Sequence, residues 1–202
     1  MEQQLLDLGP LPAPPSSPAE RGERPRGLVY RADFISPDEE DELMARLESV
    51  DFTDVVMRGQ KARRTVCHFG YRYGYESWKV ASAEALPAWL LWLRDRCAAL
   101  ARVDGADFVE ALATRYPAGA GIGWHRDAPM FGPVVAGVSL QSACRMRFRR
   151  GDGASRRTYA LELAPRSGYV LSGPARSLWQ HSIPMTKALR HSLTFRTVRS
   201  SR

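Results

Sequence analysis

From Phe108 onward the chain is written in short apolar segments divided by Gly and Pro at close spacing. The segments are Phe108–Tyr116, Ile122–His125, Val134–Ser142, Cys144–Arg150, Thr158–Leu163, Gly168–Ser172 and Arg190–Val198. Runs of this length read as strands, and many of them in succession with turn residues between require an all-β sandwich or barrel. No internal repeat is visible, so the strands belong to one unit rather than to an array.

The part before Phe108 is different in texture. Residues 1–26 carry Pro10, Pro12, Pro14, Pro15, Pro18 and Pro25 among Ser, Glu and Arg. That composition buries too little apolar surface to offset its ordering entropy, and a disordered Pro-rich tail is expected. Gly27 to Ile35 reads as a strand. Ser36-Pro37-Asp38-Glu39 then starts a helix, with Ser36 at N-cap, Pro37 at N1 and Glu39 closing a capping box. Leu43 and Leu47, one turn apart, give it a buried stripe to about Ser49. Phe52 to Arg58 reads as a further strand. Pro87 opens a second helix, Ala88 to Arg102, whose apolar face of Trp89, Leu90, Leu93, Cys97 and Leu100 suits packing on a sheet. The expected class is α+β, mainly β, with the N-terminal helices supporting the strands.

Between the helices, residues 59–78 interleave Lys61, Arg63, Arg64 and Arg72 with His68, Phe69, Tyr71, Tyr73 and Tyr75. Arginines for phosphate and rings for stacking are what a substrate-facing lid hairpin on a nucleic acid needs. An edge hairpin whose rings pack on the body while its arginines are solvated fits the same pattern. The balance of charge points the same way. The net charge is +7, and of 29 basic residues only Lys61, Lys79 and Lys187 are lysine. Arginine-borne positive charge fits a polyanionic partner, and codon bias in a GC-rich genome yields it equally.

A length of 202 residues suits one folded domain after the tail, spanning 27–202. No run approaches the apolar length of a membrane helix, so no membrane partner is expected. The first residues lack the basic and apolar regions of a secretory signal, and Cys67, Cys97 and Cys144 are far apart in sequence, as reduced buried thiols are. A cytoplasmic monomer is the expectation.

Chemistry enters at Trp124-His125-Arg126-Asp127. Residues two apart on an extended strand face the same side, which pairs the His125 imidazole with the Asp127 carboxylate. His181 is the best candidate for a second imidazole. Two His and one carboxylate make the facial triad that holds Fe(II) and leaves positions open. Most His-x-Asp tripeptides are surface polar residues, so the pattern needs company. The last strand supplies it. Alternation places Arg190, Ser192, Thr194 and Arg196 on one face and His191, Leu193 and Phe195 on the other. The two arginine α-carbons stand roughly 20 Å apart at about 3.3 Å per residue. Arginines buried on one strand face need anions, and Asp127 with a short dicarboxylic acid would supply them; two solvated arginines on an outer face are the alternative. His68, with no evident partner, reads as structural. Arg145, Arg147 and Arg149 alternate onto one face, fit for phosphate or for water.

From about Ala111 to Arg199 the chain resembles the AlkB-type branch of the Fe(II)/2-oxoglutarate dioxygenases. The resemblance rests on Thr114-Arg115-Tyr116-Pro117-Ala118-Gly119, His125-Arg126-Asp127, Ser172-Gly173-Pro174-Ala175-Arg176 leading to His181, and the Arg190–Arg196 ending. It implies a double-stranded β-helix, or jelly roll, over residues 108–199. It implies Fe(II) on His125, Asp127 and His181 as the catalytic centre. Arg190 would clamp the distal carboxylate of 2-oxoglutarate, with Tyr116, Thr114 and Ser192 hydrogen-bonding the cosubstrate and Arg196 orienting Asp127. The branch uses O2 to convert 2-oxoglutarate to succinate and CO2 while oxidising a substrate C–H, typically an N-methyl on a nucleobase, which is then lost as formaldehyde. Alkylated DNA or RNA is the implied partner, contacted by Phe69, Tyr71, Tyr73, Arg63 and Arg64. Thr114 and Ser192 stand where repair members of the branch carry Asn, and Ala128 follows Asp127 where they place an acid. The same chemistry on a protein or other substrate is therefore an alternative, and a non-catalytic basic nucleic-acid binding module is a second.

Overall fold

Eight strands of the C-terminal half pair into two facing sheets in jelly-roll order. The computed structural model describes residues 21–57, 59–73, 80–82 and 85–198. The jelly-roll strands are β6 (Phe108–Tyr116), β7 (Ile122–His125), β8 (Phe131–Leu140), β9 (Cys144–Arg150), β10 (Arg157–Leu163), β11 (Ser167–Leu171), β12 (Gln180–Ile183) and β13 (Arg190–Val198). The larger sheet runs β6-β13-β8-β11 reversed, with β2 (Leu28–Arg31) beyond β11 and β4 (Gln60–Tyr73) and β3 (Thr53–Met57) beyond β6. The smaller sheet runs β7-β12-β9-β10, with β1 (Arg21–Gly22) added at β10. Every pairing is antiparallel, including that of β5 (Val80–Ser82) with the end of β4.

The helices do what their sequence requires. In α1 (Pro37–Glu48) the Ser36 hydroxyl accepts from the Glu39 N–H and the Glu39 carboxylate accepts from the Ser36 N–H, a complete capping box. Glu39 also receives both terminal nitrogens of Arg96 at 2.7 Å, tying α1 to α2 (Ala88–Ala101). Leu43 and Leu47 of α1 and Leu90, Leu93 and Cys97 of α2 pack on Ala111, Ala113, Leu193 and Phe195, the outer face of the larger sheet. Each buried leucine there contributes roughly 2 kcal/mol against exposure. The second core lies between the sheets, where Tyr116, Met146, Phe148, Tyr159, Leu161, Tyr169 and Trp179 fill the barrel.

Four departures have local causes. Residues 21–26, expected in the tail, are not tail: Arg21 and Gly22 pair with Ala160 and Tyr159, and Glu23 pairs with Arg157. Residues 1–20 lie outside the described residues. β8 starts at Phe131 rather than Val134, and exposed Pro133 falls beside a register shift opposite Arg196 and Val198, where its missing N–H interrupts no ladder. β4 is no separate hairpin along most of its length: Thr65 to Gly70 pair with β6 and both ends of β3 pair with it, so the hairpin with β5 begins only at Tyr71. Finally β12 and the short helix α3 (Gly173–Ser177) occupy a stretch with no regular pattern in sequence.

The interior tolerates no added side chain at Gly137 of β8, because a Cβ there would collide with the ring end of Tyr169. Burial pushes the Tyr169 phenol up to about 12, so this is a neutral ring packed on bare backbone. Gly137→Ala is expected to cost about 1–3 kcal/mol by forcing Tyr169 from its place, seen as a melting temperature lower by several degrees.

Candidate metal and cosubstrate site

His125 ends β7, and β12 runs beside it with His181 directly opposite. The two imidazoles leave the same side of the smaller sheet, ring centroids 4.2 Å apart. The chain then turns out of β7 and brings Asp127 to them. One ligand atom from each of His125, Asp127 and His181 lies within 4.8 Å of the others. Two nitrogens and one carboxylate oxygen converging at that spacing fit a six-coordinate divalent ion held on one face.

Each ligand is prepared in its binding form. The Gly123 carbonyl accepts from His125 Nδ1 at 2.9 Å, which fixes that tautomer and leaves Nε2 with its lone pair. Burial lowers the pKa of His125 against the pull of Asp127, and burial with the neighbouring His125 lowers His181 to about 4. Burial would raise the Asp127 carboxyl, but Arg196, the two histidines and Arg176 hold it at about 2. At neutral pH the set is two neutral imidazoles and one carboxylate.

Two arginines hold the Asp127 carboxylate and its loop. Arg196 of β13 brings Nη2 to 3.4 Å from Asp127 Oδ1, and its guanidinium lies over the Phe131 ring at 4.5 Å. Arg176 of α3 donates to the carbonyls of Asp127, Ala128 and Phe131 at 3.2–3.3 Å, gathering the loop around one buried cation.

Along the inner face of β13, the register sets Arg190 opposite Tyr116 and Ser192 opposite Thr114. All four are buried, Arg190 completely. Arg190 Nε donates to Ser139 Oγ at 3.1 Å, and its guanidinium lies 5.1 Å from the Tyr116 ring centre. Among the described residues no protein atom accepts a hydrogen bond from Nη1 or Nη2. The Tyr116 hydroxyl is near enough for the charge to oppose the rise that burial imposes on its pKa, yet outside hydrogen-bond geometry with those atoms. A sealed cation with two idle donors fits a carboxylate.

His191 faces the other way, as alternation requires: it takes Gln141 Oε1 at 2.7 Å and tilts on Phe52. The residues expected at a substrate are divided. Arg64 is buried on the inner face of β4, and its charge reaches Tyr116 and His125. Arg63 is exposed and lies over Gly119. Phe69 is a correction: it meets Trp89 of α2 edge-on at 5.9 Å and joins the helix-side core, because odd positions of β4 face the helices there. The side chains of Tyr71 and Tyr73 lie outside the described residues.

Sequence reasoning missed Glu110, and with it the partner of His68. Glu110 lies on the inner face of β6 with no exposure, accepting from Arg196 Nη1 at 3.2 and 3.3 Å and facing His68 Nδ1 at 3.1 Å. An acid inside the apolar run Phe108–Tyr116 was the available signal.

Because protons compete with metal only where an imidazole titrates, divalent-ion affinity is expected to be flat through neutral pH. It should fall as pH drops toward 4, where His181 protonates. Co(II) titrations between pH 7.5 and 4.5 measure this; a steep fall already at pH 7 would contradict the lowered imidazoles.

The sequence profile of the 2OG-Fe(II) oxygenase superfamily matches residues 27–202. The chain is 28% identical over 185 residues to an Arabidopsis thaliana protein named "Alkylated DNA repair protein ALKBH8 homolog", covering 80% of this chain and 51% of that one. It is 33% identical over 175 residues to the Mus musculus "tRNA (carboxymethyluridine(34)-5-O)-methyltransferase ALKBH8", covering 81% of this chain. The chain thus spans about half of the first relative and 25% of the second. The solved structure of OsALKBH1 superposes with a TM-score of 0.68 at 15% identity, over 88% of this chain and 99% of that one, a shared fold. No described helix is long and apolar enough to cross a membrane. This chain belongs to the 2OG-Fe(II) oxygenase superfamily and is similar to AlkB-type members of it.

Proposed function

We propose that the chain removes alkyl groups from the nitrogens of nucleobases in DNA or RNA. A methyl C–H is hydroxylated with O2 and 2-oxoglutarate; the N–CH2OH product releases formaldehyde, and the cosubstrate leaves as succinate and CO2. The observation that carries the reading is the convergence of His125, Asp127 and His181 beside the buried, anion-seeking Arg190. Iron and its cosubstrate, when bound, supply the oxidising power.

The chain's own residues bind and orient. His125, Asp127 and His181 would hold the metal, and Arg196 keeps Asp127 ionised and aimed. Arg190 would take the distal carboxylate of 2-oxoglutarate. Tyr116, neutral because burial raises its pKa, keeps its O–H for donation, and the hydroxyls of Thr114 and Ser192 stand beside it. Arg64 serves the substrate from the inner face of β4, and Arg63 from the rim.

A nucleic-acid substrate is supported by the arginine-borne charge of +7 and by the names of the relatives. On the outer face of the smaller sheet, Arg147 and Arg149 both lie over the Trp124 ring, at 5.0 and 4.5 Å, a concentration of cations suited to phosphate. Ala128, in place of an acid after Asp127, favours a second reading in which the C–H belongs to a protein side chain.

Succinate and formaldehyde measured with and without a methylated single-stranded oligonucleotide test the proposal. Formaldehyde should depend on the oligonucleotide and vanish in Asp127→Ala. Succinate that ignores the oligonucleotide would shift the substrate to a protein, and turnover surviving in Asp127→Ala would remove the assigned centre. Separately, Arg190→Met should raise the KM for 2-oxoglutarate by about 100-fold, the worth of two charge-assisted hydrogen bonds at roughly 1.5 kcal/mol each. The same variant should leave the ligand-free protein no less stable, since a buried unpaired cation is removed.

A further inference from the structure

Four buried groups form an unbroken line from β4 to the metal centre. His68 Nδ1 lies 3.1 Å from Glu110 Oε1, Glu110 accepts from Arg196 Nη1 at 3.2 and 3.3 Å, and Arg196 Nη2 lies 3.4 Å from Asp127 Oδ1. The side chains are 8%, 0%, 8% and 8% exposed in that order, so water competes for none of these contacts. We infer that His68 and Glu110 are positioning residues which, through Arg196, set the orientation of the Asp127 carboxylate and with it the affinity for the divalent metal.

The reason lies in the shape of the guanidinium. Its nitrogens form one rigid plane, so the direction of Nη1 determines that of Nη2. Glu110 holds Nη1, and the Phe131 ring 4.5 Å beneath fixes the tilt of the plane. What remains for Nη2 is one approach to Asp127. Without Glu110 the arginine could pivot on its long stem and meet the metal carboxylate from several directions. Glu110 itself is steadied by a second donor. An ionised carboxylate only accepts, so His68 must present Nδ1–H to it, a role that also selects the tautomer of that ring.

A purely structural reading accounts less well for these groups. A buried ionic cluster adds little to stability, and apolar residues of similar volume commonly serve a fold as well or better. Glu110 sits among Ala111, Leu112 and Ala113 in a strand that apolar side chains would satisfy. A carboxylate there makes sense as a device that orients what it touches, as outer partners of metal ligands do.

The inference rests on the proposed metal site, and Co(II) binding by the full chain separates the two. Affinity and the visible absorption band of bound Co(II) are read alongside thermal melts. Glu110→Gln, which keeps the shape and loses the charge, should weaken Co(II) about 10–100-fold and alter the band. His68→Ala should weaken it in the same direction by less, and His68→Asn, which retains a donor near the Nδ1 position, should restore part of the loss. Leu47→Ala, in the core under α1, should lower the melting temperature and leave Co(II) binding untouched. If Glu110→Gln does not fold, the His68 pair decides. Parental affinity and band in the Glu110 and His68 variants would overturn the inference and leave the site standing. Failure of the parent to bind Co(II) any better than Asp127→Ala would overturn both.

Discussion

An arginine sealed inside a protein needs an anion, and the inner face of β13 carries two such arginines. Arg196 is answered from within the chain, by Glu110 on one side and Asp127 on the other. Among the described residues Arg190 donates to Ser139 and lies beside the ring of the tyrosine opposite it. That asymmetry organises the barrel. One end of the strand is internally balanced by Glu110 and Asp127; the other has the charge that, in the proposed function, a small acid would balance. Because β13 lies between β6 and β8, both arginines are held by backbone ladders on either side. Their spacing is therefore a property of a strand rather than of a loop, which is the rigidity that the proposed cosubstrate site would need.

The division of labour between the sheets follows from this. The larger sheet carries the buried charge and hydroxyls, on β6, β8 and β13, that the proposed function assigns to the cosubstrate. The smaller sheet provides imidazoles from β7 and β12. Asp127 alone comes from irregular chain, and it is also the ligand with the most support, from Arg196 at its carboxylate and Arg176 at its backbone. A ligand that no ladder positions has been given side-chain supports instead.

Much of this was legible in the sequence where local rules decide. The Ser36 capping box, the second helix and the two faces of Arg190–Val198 follow from periodicity and capping, which need only near neighbours. What could not be read depends on distant partners. Gln180–Ile183 is four residues with half-buried polar positions, and it is a strand because β7 and β9 lie on either side of it. Residues 60–70 look too polar for a sheet interior, yet His68 is accommodated there by an acid 42 positions away. Phe69 shows the limit of composition: a ring among arginines suggests stacking on a base, and the choice between that and packing under a helix belongs to α2.

The same Arg176 that gathers the Asp127 loop has a less obvious anchorage. Its helix is fastened to the segment preceding β2: the Ala175 N–H donates to the Arg26 carbonyl at 2.9 Å, and the Ser172 N–H to that of Gly27 at 3.0 Å. The Arg26 backbone thus underlies the loop that carries Asp127. Trimming the chain at Gly27, the natural place to cut if residues 1–26 were all dispensable, would remove a peptide bond on which the metal carboxylate indirectly leans. The contacts that support the Asp127 loop reach back to Arg26, ahead of Leu28, where the hydrophobic core begins among the described residues.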